Sequence, residues 1–301
     1  KDPEENATLR LELGRAYFSQ SRFGEAQALA AELVDSATEL MVRARAEQLW
    51  GTALSVEGAD LEAASMHLER AAALTTDLPS VDPAFLAQTQ FERGGLAAQQ
   101  GDLDAAIGLY RQSLEIAAGE RDLSIWEVLS HNNLAYHLHL AGGAAALAEA
   151  EAHVQQGLRL AEERGLLSLL PYLHSTHGEL RMAVGDLDGA AAAFGTGLAQ
   201  AEAIGLGERI AGLTANLGLV ARDRGDTATA IHRLSTGLAQ ADAIGTQHLA
   251  AQIRVWLAPL LPWPEAEAHL ERARLVAEAG GRRRLLEQIE AALSQRPLRA
   301  A

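Results

Sequence analysis

At 301 residues the chain exceeds the size that one compact core usually serves, so it is either two globular domains or an elongated repeat array. Apolar residues make up 48% and aromatics only 4%, which leaves mostly Ala and Leu, the strongest helix formers, and points to the array. A net charge of −15 argues against binding to a phosphate backbone, and the lack of cysteine excludes disulfides, thiol nucleophiles and Cys-based zinc sites.

No segment shows the Val/Ile/Thr alternation of a half-buried strand, and no run of about 18 apolar residues could span a membrane. The chain opens on Lys1 without a charged-then-apolar leader, so a cytoplasmic segment of a longer protein is expected.

Self-similarity organises the rest. Thr196–Gly205 (TGLAQAEAIG) recurs as Thr236–Gly245 (TGLAQADAIG), offset by 40. In six places a small residue is followed seven positions later by a turn residue: Gly14/Ser21, Gly51/Gly58, Gly94/Gly101, Ala135/Gly142, Gly178/Gly185 and Gly218/Gly225. A second small residue follows the first by twelve at Ala26, Ala63, Ala106, Ala190 and Ala230; the fourth unit has Leu147 there and a small residue at Ala148.

This pattern predicts helix–turn–helix units. The first small residue lets helix A approach helix B, and the turn residue ends helix A in the left-handed region. Asp102, Asp186 and Asp226 then cap helix B. The later Ala is expected to fit against the first small residue, with Tyr110, Phe194 and Leu234 filling the space towards the next unit.

In chain order the predicted pairs are 5–36, 38–74, 82–118, 122–164, 166–203, 206–243 and 246–279. Asp82-Pro83 starts its helix as N-cap and first-turn proline. The connection at Thr75–Val81, with Pro79, is the expected flex point of one continuous domain over 1–301. The seventh unit is degenerate: prolines 259, 262 and 264 flank Trp263, and the interval from Ala258 to Ala266 is eight, about one helical turn short. A terminal helix at 282–294 is expected to cover the apolar end, opening on the short basic run Arg282-Arg283-Arg284.

Leu13-Gly14, Tyr17 and Ala26 together resemble the tetratricopeptide (TPR) pattern; Asn132-Asn133-Leu134-Ala135 and Asn216-Leu217-Gly218 resemble its kinesin-light-chain-like variant. Units of roughly 40 residues closed by Gly165, Gly205 and Gly245, instead of the usual 34 closed by Pro, look like the sensor region of MalT-like signal-transduction ATPases with LuxR-type DNA-binding domains. The resemblance implies an all-α, right-handed superhelical solenoid of about seven TPR-like repeats plus a C-terminal capping helix. It further implies a sensor that receives an inducer or protein partner and controls self-association, with the ATPase and DNA-binding domains lying outside this sequence.

In such an array helix A forms the concave wall. Counting from the small helix-A residue points Arg45, Gln48 and Glu92 inward in the early units. In the middle units it selects Asn132, Asn133, Tyr136, His139, Thr176, Glu179 and Asn216, with Arg222 at the rim. Asparagine is a mediocre helix former that can donate and accept at once, which suits clamping an extended peptide or sugar hydroxyls; bonding within the helix is the alternative. His174 and His177, with His131 one unit earlier, could be spaced for a metal, but a two-His pair without a third ligand reads better as packing. No Walker A loop, dinucleotide fingerprint, HExxH helix or nucleophile elbow is present. The expectation is a non-catalytic module without metal or cofactor. Its groove takes a peptide, a protein segment or a small inducer, with no nucleic-acid or membrane contact. A scaffold or homo-oligomerising surface is the alternative, and a metal-dependent enzyme the third reading.

Overall fold

The structure, a computed structural model, describes residues 3–58, 60–76, 78 and 80–294, without the side chains of Pro3 and Glu5. Fifteen helices carry almost all of the described residues, and no strand occurs among them. Contacts divide the chain into two compact units, Lys1–Ser130 and His131–Ala301.

Unit 1 holds α1 (Pro3–Ser19), α2 (Phe23–Ser36), α3 (Leu40–Glu57), α4 (Leu61–Ala73), α5 (Pro83–Gln100), α6 (Leu103–Ala117) and the first turns of α7 (Ser124–Ala141). Unit 2 holds the remainder of α7, then α8 (Ala144–Glu163), α9 (Leu170–Ala183), α10 (Leu187–Ile204), α11 (Gly207–Asp223) and α12 (Thr227–Ala243). It ends with α13 (Gln247–Leu257), α14 (Trp263–Ala279) and α15 (Arg283–Ser294). Odd-numbered helices are the A helices of the hairpins and even-numbered ones the B helices. Pro79, in the expected flex point, lies outside the described residues.

The turns follow the sequence register. Gly58, Gly101, Gly142, Gly185 and Gly225 all take positive φ, and Ser21 does so at the equivalent place, the one non-glycine to do so among the described residues. Aspartate caps open the B helices: Asp102 accepts from the Ala105 N–H at 2.9 Å, Asp186 from Gly189 at 2.8 Å and Asp226 from Thr229 at 3.0 Å. Asp60 does the same for α4, accepting from Ala63 at 2.8 Å. It escaped the sequence register because it stands two places after Gly58, where the other caps directly follow their glycine.

Counted from the cap, a buried alanine then sits at +4 (Ala64, Ala106, Ala190, Ala230) and a large buried residue at +8 (Leu68, Tyr110, Phe194, Leu234). Here the structure corrects two sequence expectations. In the second hairpin the buried small residue is Ala64, with Ala63 only half-buried. The large residue comes nearest to the small A-helix residue of its own hairpin, with the Ala64 carbonyl also close to Gly51, at 3.0 Å from an added Cβ. A Cβ on Gly51 would lie 2.8 Å from Leu68, one on Gly94 2.9 Å from Tyr110 and one on Gly218 2.9 Å from Leu234; Phe194 covers Gly178 in the same way.

A second set of close approaches lies on the B helices. Gly157, Gly197 and Gly237, each 40 residues apart, let a B helix touch the following A helix or its own partner. A Cβ there would meet Leu173 at 2.6 Å, His174 at 2.9 Å and the Ala211 carbonyl at 2.8 Å respectively. The last hairpin keeps the pattern: α13 is short and ends in a 3-10 turn at Ala258–Leu260, yet α14 buries Ala266, Leu270, Ala273 and Ala277 in register. Helix α15 closes this core with Leu285 and Ile289.

Within each unit successive A helices pack on one another: α1 on α3 and α3 on α5, then α9 on α11, α11 on α13 and α13 on α15. Successive B helices do not pack to a comparable degree. A stack in which one helix of each pair meets its neighbour while the other splays apart is curved, and the A helices lie on its inner side.

Candidate functional site

In unit 1 the inner faces of α1, α3 and α5 enclose a half-open cavity of about 380 Å³. Its lining includes Arg45, Gln48 and Glu92, three residues that the sequence register points inward, together with Arg15, Phe18 and Thr52. Gln48 is buried and committed: its amide donates to Thr89 Oγ1 at 2.7 Å, tying α3 to α5. Arg45 pairs with Asp82 at 2.6 Å and lies 5.8 Å from the centre of the Phe85 ring. Glu92 keeps some solvent contact but is walled in by protein on most sides. Burial pushes its carboxyl up to about 7, and a hydrogen bond from Gln88 opposes the shift.

Unit 2 presents a second inner wall on α7, α9 and α11. Thr176 donates to Asn132 Oδ1 at 2.9 Å, and Asn132 donates to Asn133 Oδ1 at 3.2 Å. Asn216 is buried and donates to Ser175 Oγ at 3.3 Å, and Ser175 in turn reaches Glu179 at 3.4 Å. The amides therefore link one A helix to the next, which accounts for mediocre helix formers on this face. Glu179 is enclosed much as Glu92 is. Burial pushes its carboxyl up to about 7, against the opposing influence of Arg209, Ser175 and Asn216.

Tyr136 is half-buried beside this carboxylate, and burial, then Glu179, push its hydroxyl up to about 12. Arg209 spans 4.7 Å to the Tyr172 ring centre and 3.0 Å to Glu208. His139 is half-buried, with Nδ1 enclosed and without a hydrogen-bond partner. Arg222, in the last turn of α11, bonds the adjacent Asp223 at 2.7 Å.

Two participants were missed in the sequence. Arg209 lies nine residues before Gly218, outside the counted positions. Arg284, at the start of α15, exerts a field on Tyr136, His137 and His139, so unit 2 curls far enough to bring its last helix within electrostatic reach of α7. The basic run at 282–284 gave no local sign of this.

The histidines occupy packing positions. His131 Nδ1 lies 2.9 Å from His153 Nδ1, and burial lowers the His131 pKa to about 4. His174 packs over Gly197, and His177 meets Gln155 at 3.2 Å and Glu151 at 3.5 Å. Among the described residues no three His, Asp or Glu side chains converge as a metal cage, and no helix is long and apolar enough to cross a membrane.

No family model and no curated protein matches the chain. Solved structures do. A Rap protein complexed with Competence and Sporulation Factor aligns over 95% of this chain and 80% of its own, with a TM-score of 0.69 at 15% identity. The Rap conjugation gene regulator of plasmid pLS20, in complex with the Phr* peptide, aligns over 98% and 97%, with a TM-score of 0.66 at 12% identity. A signal transduction ATPase with numerous domains from Pyrococcus horikoshii, bearing a tetratricopeptide repeat sensor, aligns over 96% of this chain and 44% of its own, with a TM-score of 0.64 at 14% identity. At these identities the likeness shows the fold: a TPR-like helical solenoid.

Proposed function

We propose that the chain is a non-catalytic binding module whose A-helix walls take an extended peptide or protein segment, as the sensor region of a larger cytoplasmic regulator. One observation carries this reading: both walls hold enclosed charged groups that helix packing does not require, Glu92 in unit 1 and Glu179 beside Tyr136 and Arg209 in unit 2. Burying a carboxylate is costly unless something pairs with it, so such groups suit a face that a ligand completes. Structures of this fold that hold a peptide or a named factor, and one with a TPR sensor attached to an ATPase, support it. The MalT-like kinship belongs to this proposal. A wall of amides and carboxylates fits the backbone and polar side chains of a peptide better than a flat apolar surface would.

Self-association is the second reading, favoured by Leu9 and Leu13, which α1 leaves 62% and 45% exposed. Panning a random peptide library against the purified chain separates the two. A selected peptide should raise the melting temperature by mass action. Its affinity should fall roughly tenfold in Glu179→Gln or Arg209→Ala, the value of one charge-assisted hydrogen bond. Peptides indifferent to every A-helix substitution would overturn the proposal. Concentration-dependent association abolished by Leu9→Ser with Leu13→Ser would put the scaffold reading in its place.

A further inference from the structure

One repeat position carries a buried titratable pair in two of the hairpins. It lies four residues before the small A-helix residue and meets the B helix of its own hairpin. In the second hairpin it is Glu47, four before Gly51, whose carboxylate meets His67 Nδ1 of α4 at 2.5 Å. In the fourth it is His131, four before Ala135, which meets His153 of α8 with the two Nδ1 atoms 2.9 Å apart. The same position holds Gln90 and Thr214 in two other hairpins, so the fold does not require a titratable group there.

The two pairs answer acid differently. A carboxyl and an imidazole keep a hydrogen bond when both are protonated, because the carbonyl oxygen of the acid still accepts from the imidazolium N–H. Two imidazoles that meet through Nδ1 need one lone pair between them. When both are neutral, one Nδ1–H donates and the other Nδ1 accepts. When both are charged, two N–H donors of like charge face each other and no acceptor is left. The neutral bond also has a direction. His153 Nε2 stands 3.7 Å from Glu149, which favours an N–H there, so His153 accepts at Nδ1 and His131 donates. One extra proton on His153 Nδ1 is accommodated once the His131 proton moves to Nε2; a second is not.

We propose that the His131–His153 pair is an acid latch, holding α7 on α8 while at least one imidazole is neutral and opening that hairpin when both are charged. The helices are tight here: a Cβ on Gly157 would lie 3.3 Å from His131 Cβ, which leaves two cations little room to swing apart. Burial, then His153 and Arg159, lower the His131 pKa to about 4, which places the opening near that pH. The charged groups facing the pair from α8 are Glu149 and Arg159. Glu127, one turn earlier on α7, accepts from the Gly119 N–H at 3.2 Å. Helix α9 presents Leu173 to Gly157 and carries His174, whose charged neighbours are His177 and Glu162. Asn132, beside His131, holds the bond to Thr176 in the unit 2 wall, so opening the latch also disturbs that wall. This last consequence rests on the proposed binding role; the latch itself does not.

Long-range proton–nitrogen NMR correlation at pH 7 reads the imidazole tautomers of the unaltered chain. His131 should carry its proton on Nδ1 and His153 on Nε2. Complementary tautomers in either order uphold the latch; identical tautomers would overturn it, because they leave no donor–acceptor pair between the Nδ1 atoms. Hydrogen-exchange mass spectrometry at pH 7 and again below 4, corrected for the intrinsic pH dependence of exchange, reads the opening. Helix α8 and the His131–Ala141 part of α7 should lose roughly tenfold or more of their protection in acid, the value of one hydrogen bond, and α3 and α4 should lose less.

His153→Asn sets an uncharged acceptor where Nδ1 stood and should remove the selective loss, whereas His67→Asn should leave it. The same loss in His153→Asn as in the unaltered chain, or equal losses in the two hairpins of the unaltered chain, would overturn the latch. If His153→Asn does not fold, the tautomers decide. A library-selected peptide separates the latch from the binding role. Unchanged peptide affinity in acid, with α7 and α8 deprotected, would uphold the latch and remove α7 from the proposed wall.

Discussion

Glu92 and Glu179 hold the same kind of position in separate units, and each is a local expense that the fold tolerates. Burial raises both from 4.5 to about 7, so between those values the folded chain binds more protons than the unfolded one. Stability from this source is present below 4.5 and lost as the pH rises through 7. His131 works in the opposite direction. Burial lowers it from 6.5 to about 4, so the unfolded chain takes up the extra proton and stability is lost as the pH falls through that window. The two windows overlap, and within the overlap the two carboxyls and the one imidazole pull the melting temperature in opposite directions. Glu92→Gln with Glu179→Gln should raise it relative to the unaltered chain above pH 7, with little change below 4.5. Thermal melts across pH check this, and equal shifts at both ends would contradict it. At this scale the sequence singled out A-helix residues, but not the partners they bond to. Asn132 and Asn216 sit on A helices, yet both are bonded to the neighbouring A helix α9. Whether an inward carboxylate lacks a cation depends on how three helices meet, and a single-helix register does not contain that information.

Hairpin punctuation, by contrast, is a local matter and was legible. A residue seven places after a small one must leave the helix in the left-handed region, and Ser21 accepts that geometry at φ 59 where the other turns use glycine. The packing partner was harder. Alanine at +12 and a large residue at +16 both face the hairpin interior, and only the observed closeness of Gly218 to Leu234 shows that the large one fills the gap. Two substitutions separate turn from contact. Ser21→Gly should stabilise by about 1 kcal/mol, the cost of a side chain in the left-handed region. Gly218→Ala should destabilise by about 1–3 kcal/mol, because its Cβ would crowd Leu234 and the backbone N–H of the same residue. Chemical denaturation measures both. A neutral Gly218→Ala would mean that the close approach is looser than described.

At the scale of the whole molecule, repetition made the architecture readable: helical hairpins of about forty residues recur along the chain, joined by short connections. Curvature was not readable. The reach of Arg284 towards Tyr136, His137 and His139 sums small rotations over several hairpins, and no motif records such a sum. The proposed binding role depends on that curvature, because it would turn the A helices of each unit into a wall that a ligand can line. Hydrogen-exchange mass spectrometry on the chain with and without a library-selected peptide tests the wall most directly. Added protection should fall on α3, α5, α9 and α11, with the B helices α4, α6, α10 and α12 unchanged. Protection concentrated on the B helices, or on the Leu9–Leu13 face of α1, would contradict it.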